Sequence, residues 1–397
     1  MRPTISWGDL ESKRSSGKGG AVEIMQSDTV EDAIHELQAG RMIVLVDDEH
    51  GYSGDLVMAA ERVSSDAINF MAMHGRGLIC LSMTPERIDE LDLPLMVRNE
   101  PDYTGAAFTV SIEAAKGVTT GISAADRART ILTAIDPQTG PDDLVRPGHI
   151  FPIRAEKKGI LVRAGQTEGS VDLARLAGLC PAGVICEILN EDGTMAHKSE
   201  LFAFAHQFHL KMVTLSDVIR YRLRHERHIR RIEEATLPTP YGAFRAITYE
   251  SCVDGRQHVL LTIGTFTPDV PPLVHVHNQC VTGDVFGSAL CACHAHLEAS
   301  LQRIARAENG AILYLSPKTR TIRLDPRREP PLQPPGSFDA NPYTAGHEVD
   351  LRDYGIGAQS LRDVGIGALR LLTTNPDKVE MLEQYDLTVV EQVPPVL

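Results

Sequence analysis

The chain has 397 residues, with 39 Lys plus Arg against 53 Asp plus Glu and a formal net charge of −14. That balance excludes a general nucleic-acid binder, whose main handle is excess positive charge on phosphate. Hydrophobic residues make up 43% and charged residues 23%, so the chain can bury real cores, and its length suggests two domains.

Residues 1–24 are rich in Ser, Gly and Lys and read as a mobile tail, without the apolar core of a signal peptide. The first strong element runs from Thr29 to Gly40, where Val30, Ala33, Ile34 and Leu37 recur at helical spacing. MIVLVDDE (42–49) reads as a buried strand breaking off into carboxylates. GLICLSM (77–83), AAFTVSI (106–112), GILVRA (159–164) and AGVICEIL (182–189) repeat that pattern, with helical stretches TPERIDEL and VDLARLAGL between them. The alternation predicts an α/β or α+β domain over 25–222.

Six Arg and two His fall within Arg220–Arg231. We read 223–235 as a basic linker on a solvated helix, with a phosphate or partner surface as the alternative. A second α/β series over 236–397 follows: HVLLTIGTF, LVHVH, AILYLS, LRLLTTN and LTVVEQV. Prolines crowd the stretch from Pro317 to Pro342 and predict a long loop there, with 325–335 the densest part. No apolar run reaches the roughly 18 residues of a membrane helix, and the protein is expected to be cytoplasmic and to bind neither membrane nor nucleic acid.

Cys280, Cys291 and Cys293, at C-x10-C-x-C spacing, carry the sharpest chemical signal. Three thiolates can fill three corners of a tetrahedral zinc site; the alternative is three unrelated core residues. His275, His277, His294 and His296 lie close in sequence. One of them as fourth ligand would make the site structural, whereas a water there would make it catalytic. We expect zinc, in a structural site with His277, His294 or His296 completing it. Asp47, Asp48, Glu49 and Asp55 form a carboxylate cluster after the first strand, either a divalent-metal or enolisation site or a solvated turn.

Read together, two sets of segments resemble known families. HGRGLIC (74–80), GVTTGISAADRART (117–130), RPGHIFPIRA (146–155), TEGSVDLARLAGL (167–179) and PAGVICEILNEDGTMA (181–196) resemble dihydroxybutanone phosphate synthase. CVTGDVFGSALCAC (280–293), DLRDYGIGAQSLRDVGI (350–366) and LRLLTTNPDKVEML (369–382) resemble GTP cyclohydrolase II. The order is that of the bifunctional riboflavin-biosynthesis family. The resemblance implies a magnesium-dependent conversion of ribulose 5-phosphate to dihydroxybutanone phosphate and formate. It also implies a zinc-dependent opening of the imidazole ring of GTP, with loss of formate and pyrophosphate. A homodimer acting on phosphorylated small molecules is implied as well.

Carried over residue by residue, the resemblance places Asp55, Arg163, Gln166, Thr167 and Glu187 around the sugar phosphate. It places Cys280, Cys291 and Cys293 on zinc. Asp350 matches the family's proton acceptor and Arg352 its proposed nucleophile. Arg320, Thr373 and Lys378 match nucleotide-contacting positions. The chain also departs from the pattern. Its acidic loop reads DDEHGYSGDL (47–56), one residue short and without the family's metal-binding Glu. GQTE replaces GHTE, putting Gln166 where the family has a ligand His, so tight magnesium is not expected in the first domain. HVHNQC (275–280) and ALCACH (289–294) each lose an Arg and an acid, and the EGR segment survives only as Arg320. These losses suggest a divergent paralogue with a changed substrate or reaction. A non-catalytic protein that regulates a true riboflavin enzyme and an ordinary bifunctional enzyme are the alternatives.

Overall fold

The computed structural model describes residues 27–48, 51–97, 106–316 and 351–394. The tail 1–24, Glu49, His50, Arg320, Asp350 and the proline-rich 325–335 lie outside the described residues.

The first domain runs α1 (Val30–Gln38), β1 (Ile43–Asp47), β2 (Ser53–Ala59), α2 (Ser65–Phe70), β3 (Arg76–Met83), α3 (Pro85–Glu90), β4 (Ala107–Phe108) and β5 (Ile112–Ala114). It continues with α4 (Ala124–Ile135), β6 (Leu144–Arg154), α5 (Gln166–Leu176), β7 (Ala182–Ile188), α6 (Lys198–Phe208), β8 (Lys211–Thr214) and α7 (Leu215–His225). The strands form one mixed sheet in the order β4-β6-β3-β7-β2-β1-β8, with β5 beside β6. Side chains alternate across each strand, so each strand feeds two cores. Leu45, Val57 and Ile185 meet α1, α5 and α7 on one face. Val44, Leu56, Met58 and Val184 meet α2, α4 and α6 on the other. Short polar caps start the helices: Thr29 accepts from Asp32 N at 3.1 Å ahead of α1, and Thr214 and Asp217 cap α7 reciprocally.

The second domain comprises β9 (Ile229–Thr239), β10 (Gly242–Ser251), β11 (Gln257–Ile263), β12 (Leu273–Asn278), α8 (Cys293–Ala307), β13 (Gly310–Leu315), α9 (Leu351–Asp363), β14 (Ala368–Leu372), α10 (Pro376–Glu383) and β15 (Thr388–Val393). Its sheet order is β15-β14-β12-β13-β11-β10-β9, parallel from β15 to β13 and antiparallel beyond. The two-domain α/β architecture agrees with the sequence reading.

Three expectations differ. GILVRA is not a strand; Gly159–Leu161 form a 3-10 turn. Gly159 has φ +64°, and the Asp172 carboxylate accepts from Ile160 N at 2.9 Å, so a distant side chain holds the turn. AAFTVSI is broken into β4 and β5. The basic stretch is no solvated linker helix. Its first part lies in α7, which buries Val218, Ile219, Arg222 and Leu223, and its last part begins β9.

Arg222, 4% exposed, explains why a cation sits inside. It meets Asp172 at 2.8 Å, Glu226 at 2.7 Å and the Lys158 carbonyl at 3.1 Å. Burial works to raise the pKa of Glu226, but hydrogen bonds from His228 and Arg222 outweigh it and hold the carboxyl at about 2. Gln359 of α9 closes the seam between the domains, donating to the carbonyls of Leu223 and Glu226 at 2.6 and 2.9 Å. One apolar core continues across that seam, from Leu223 to Ile247, Tyr354 and Leu361.

Candidate functional site

In the first domain, Asp55 of β2 lies opposite Glu187 of β7 in the strand register, and Asp47 of β1 lies opposite Ser53. Asp55 is 4% exposed. Burial, then the charges of Glu187 and Asp47, push its pKa well above the usual carboxylate range. Helix α5 crosses β2 and β7, and Gln166 is its first residue. The Gln166 amide donates to Ser53 Oγ at 3.2 Å, so this side chain reaches the start of β2. Thr167, next on α5, is buried. Arg163 is fixed by Glu168, with Nε 3.0 Å from Oε2 and Nη2 2.8 Å from Oε1. Glu168 is wholly buried and also accepts from Glu156 N. The structure thus sets Asp55 opposite Glu187 and Gln166 against Ser53, two residues before Asp55, and shows why Arg163 keeps its orientation.

A second polar group joins β5, β6 and α4. Glu113 accepts from Thr130 Oγ1 at 2.6 Å and bonds His149 Nδ1 at 2.8 Å. Gly121 has φ +87° and approaches so closely that a Cβ there would lie 1.8 Å from Glu113 Oε2. The sequence pattern gave neither Glu113 nor Glu168 a part. Their partners lie up to 36 residues away and no local pattern reveals them.

In the second domain, Cys280 follows β12 and Cys293 opens α8. The sulfurs of Cys280, Cys291 and Cys293 all lie within 4.8 Å of one another, and Cys280 and Cys291 are 3.8 Å apart. Zn–S bonds of about 2.3 Å at tetrahedral angles place sulfurs roughly 3.8 Å apart, so the donor set fits zinc. Burial, then Cys291 and Cys280, push the Cys293 thiol far up in the absence of a cation. A divalent ion bound here would take up the charge of the three thiolates. Glycine is required at 283, where a Cβ would lie 2.7 Å from Cys291 Sγ and 2.8 Å from Cys293 Cβ.

No histidine, aspartate or glutamate among the described residues joins the three thiols. Of the three candidates for a fourth ligand, His277 is engaged elsewhere. The reason for His277 is a hydrogen-bonded chain. Strand alternation puts His275 and His277 on one face of β12. His275 Nδ1 donates to the Leu372 carbonyl at 3.2 Å, and burial drives its pKa down to about 3, so the ring is neutral and Nε2 accepts. His277 Nδ1 donates to that atom at 3.3 Å, and His277 Nε2 meets Asp284 Oδ1 at 2.9 Å. Both nitrogens of His277 are thus engaged, one by His275 and one by Asp284. A site of three protein ligands keeps one position for water or substrate, which is the catalytic pattern.

Thr373 and Lys378 reach the same end of the sheet. Lys378 donates to the Val276 carbonyl at 3.1 Å, between the two histidines, and burial lowers its pKa. Thr373 accepts from Asn375 N at 3.0 Å in the turn before α10. Arg352 lies at the seam, its Nη1 3.4 Å from the carbonyls of Leu161 and Val162 in the first domain.

The magnesium expected of the resemblance is not matched by the described residues. Asp55, Glu187 and Asp47 form no group of three donors close enough to share an ion, and Gln166 is turned to Ser53. Among the described residues, no helix is long and apolar enough to cross a membrane.

Comparison with known proteins gives two family matches. Residues 31–221 match 3,4-dihydroxy-2-butanone 4-phosphate synthase and residues 230–394 match GTP cyclohydrolase II. The chain is 50% identical to the riboflavin biosynthesis protein RibBA of Aquifex aeolicus over 94% of its own length and 93% of that protein's. It is 46% identical to the protein of the same name from Parabacteroides distasonis, covering 93% and 92%. Among solved structures it resembles RibBX of A. baumannii, a two-domain 3,4-dihydroxy-2-butanone 4-phosphate synthase. That likeness has a TM-score of 0.72 and 36% identity, over 92% of this chain and 99% of that one.

Proposed function

The chain belongs to the bifunctional riboflavin-biosynthesis family that joins 3,4-dihydroxy-2-butanone 4-phosphate synthase to GTP cyclohydrolase II, and on that premise we propose that it carries out both reactions. The observation that carries the reading is the match of both halves, in family order, over nearly the whole chain. The three clustered thiols support the second half.

In the first half, ribulose 5-phosphate is converted to dihydroxybutanone phosphate and formate. Asp55 and Glu187 are the carboxylates available to move protons on the sugar, and burial raises the pKa of Asp55, which favours its holding a proton. Arg163, braced by Glu168, supplies positive charge for the phosphate. In the second half, Cys280, Cys291 and Cys293 would hold zinc, which supplies an activated water for opening the imidazole ring of GTP. Lys378 and Thr373 lie beside that site and serve the nucleotide. Asp350, Arg352 and Arg320 complete the family's set, and a homodimer is part of this reading.

A second reading has one specific observation behind it: the Gln166 amide bonded to Ser53. An amide binds magnesium poorly and is no base near neutral pH. On that reading the first pocket holds a sugar phosphate but runs a changed reaction, or none. The relatives' names favour the ordinary reading over this one. Complementation separates them. Growth without riboflavin, in strains lacking one activity at a time, is expected for both. Failure in the synthase-deficient strain alone would favour the second reading.

A further inference from the structure

We propose that Asp284 is the positioning residue for Cys280, holding this thiolate ready for zinc and keeping His277 out of the coordination sphere. The inference rests on the zinc reading above and concerns a residue that takes no direct part in the site.

Asp284 lies in the turn Val281–Val285, between the first thiol and the other two. It grips the Cys280 peptide from both sides. Its backbone N–H donates to the Cys280 carbonyl at 2.6 Å, and its Oδ2 accepts from Cys280 N at 2.8 Å. With both flanking peptide groups held by one residue, the direction of the Cys280 side chain is set. Gly283 N, in the same turn, points to Cys280 Sγ at 3.4 Å.

The carboxylate is itself tied to the sheet. Oδ2 also accepts from Tyr314 OH of β13 at 2.7 Å, and Oδ1 accepts from His277 of β12 at 2.9 Å. His277 and Tyr314 face each other in the β12–β13 register, and their rings stack with centroids 5.4 Å apart at 11°. His275 and the Leu372 carbonyl extend the chain into β14. Three donors from the turn and two strands thus converge on one buried carboxylate. A ligand braced this way loses little conformational freedom when the metal arrives.

The test is zinc affinity of the full chain, measured by competition with a chromophoric chelator, together with the charge-transfer spectrum of the cobalt-substituted protein. Wild type is expected to bind one zinc and to show the intensity of three thiolates on cobalt. Asp284→Asn is expected to weaken zinc by about 10–100-fold and to lower the thiolate-to-cobalt band, a change that plain loss of fold stability does not produce. Tyr314→Phe keeps the carboxylate and removes one donor, and should weaken zinc by about three- to tenfold. Should Asp284→Asn not fold, Tyr314→Phe decides alone. If wild type binds zinc and the variants stay within about twofold of it, the positioning role is overturned while the zinc reading stands. If wild type binds no zinc, the zinc reading itself fails, and this inference with it.

Discussion

Asp55 and Glu187 face each other across the β2–β7 pair, two carboxylates on neighbouring strands, with Asp55 buried and its pKa raised. The folded protein therefore holds the Asp55 proton more tightly than the unfolded chain does. That contribution is fully present below the unfolded value near 3.8 and is lost as pH rises through the folded value. Ionised Asp55 thus works against folding at neutral pH. Asp55→Asn should raise the melting temperature at pH 7 by about 2–4 °C, with a smaller gain below pH 4, while formate release from ribulose 5-phosphate falls by about 100-fold or more. Scanning calorimetry at both pH values checks the first part. A lower melting temperature at pH 7 would show that Asp55 is stabilised by contacts outweighing its burial.

Gln166, which the resemblance sets at the family's imidazole position, donates to Ser53 Oγ. Gln166→His should raise formate release from ribulose 5-phosphate by about tenfold or more at saturating magnesium, since a neutral imidazole can serve as base or ligand where an amide cannot. Titration of rate against magnesium in both proteins is the measurement. Equal rates would place the acid–base group elsewhere in the pocket.

Gly283 faces the three thiols with no room for a methyl group. Gly283→Ala must push Cys291 or the start of α8 aside. We expect zinc content below half that of wild type after gentle purification and about 1–3 kcal/mol of lost stability. A fully loaded variant would mean that the loop shifts without disturbing the sulfurs.

Arg222 is the buried charge of α7, between Asp172 and Glu226. Arg222→Met keeps the volume and strands the Asp172 carboxylate in the interior, at about 3–5 kcal/mol. Glu226 adds a pH signature. Its folded pKa of about 2 lies below the ordinary glutamate value of 4.5, so its contribution is present above 4.5 and lost as pH falls toward 2. The wild-type melting temperature should drop across that window, and the variant's should drop less. Parallel slopes would show that Arg222 is not what holds Glu226 ionised.

What could be read from the sequence follows from how local each signal is. The thiols at 280, 291 and 293 were legible because their spacing alone brings them together around one turn and a helix start. Strands such as Ile43–Asp47 and Leu273–Asn278 were legible from short apolar runs. GILVRA carried the same signal and became a turn, because Gly159 adopts a positive φ and Asp172 captures the Ile160 amide. The Arg-rich stretch was legible as a helix but not as a buried one, since the anions that satisfy Arg222 include Asp172, 50 residues earlier. The β9–β10 hairpin was missed because RRIEEATLPT has no apolar alternation; β9 is an edge strand exposed along most of its length. The role of Asp284 depends on register, on His277 lying opposite Tyr314, and no single-segment pattern contains that.

The central claim is that one chain runs two formate-releasing reactions. The direct test incubates purified protein with magnesium and zinc, with ribulose 5-phosphate and separately with GTP, and quantifies formate. We predict formate from both substrates, with the GTP-dependent part abolished by Cys280→Ser and the sugar-dependent part abolished by Asp55→Asn. No formate from either substrate, in protein that carries zinc and is folded, would contradict the account.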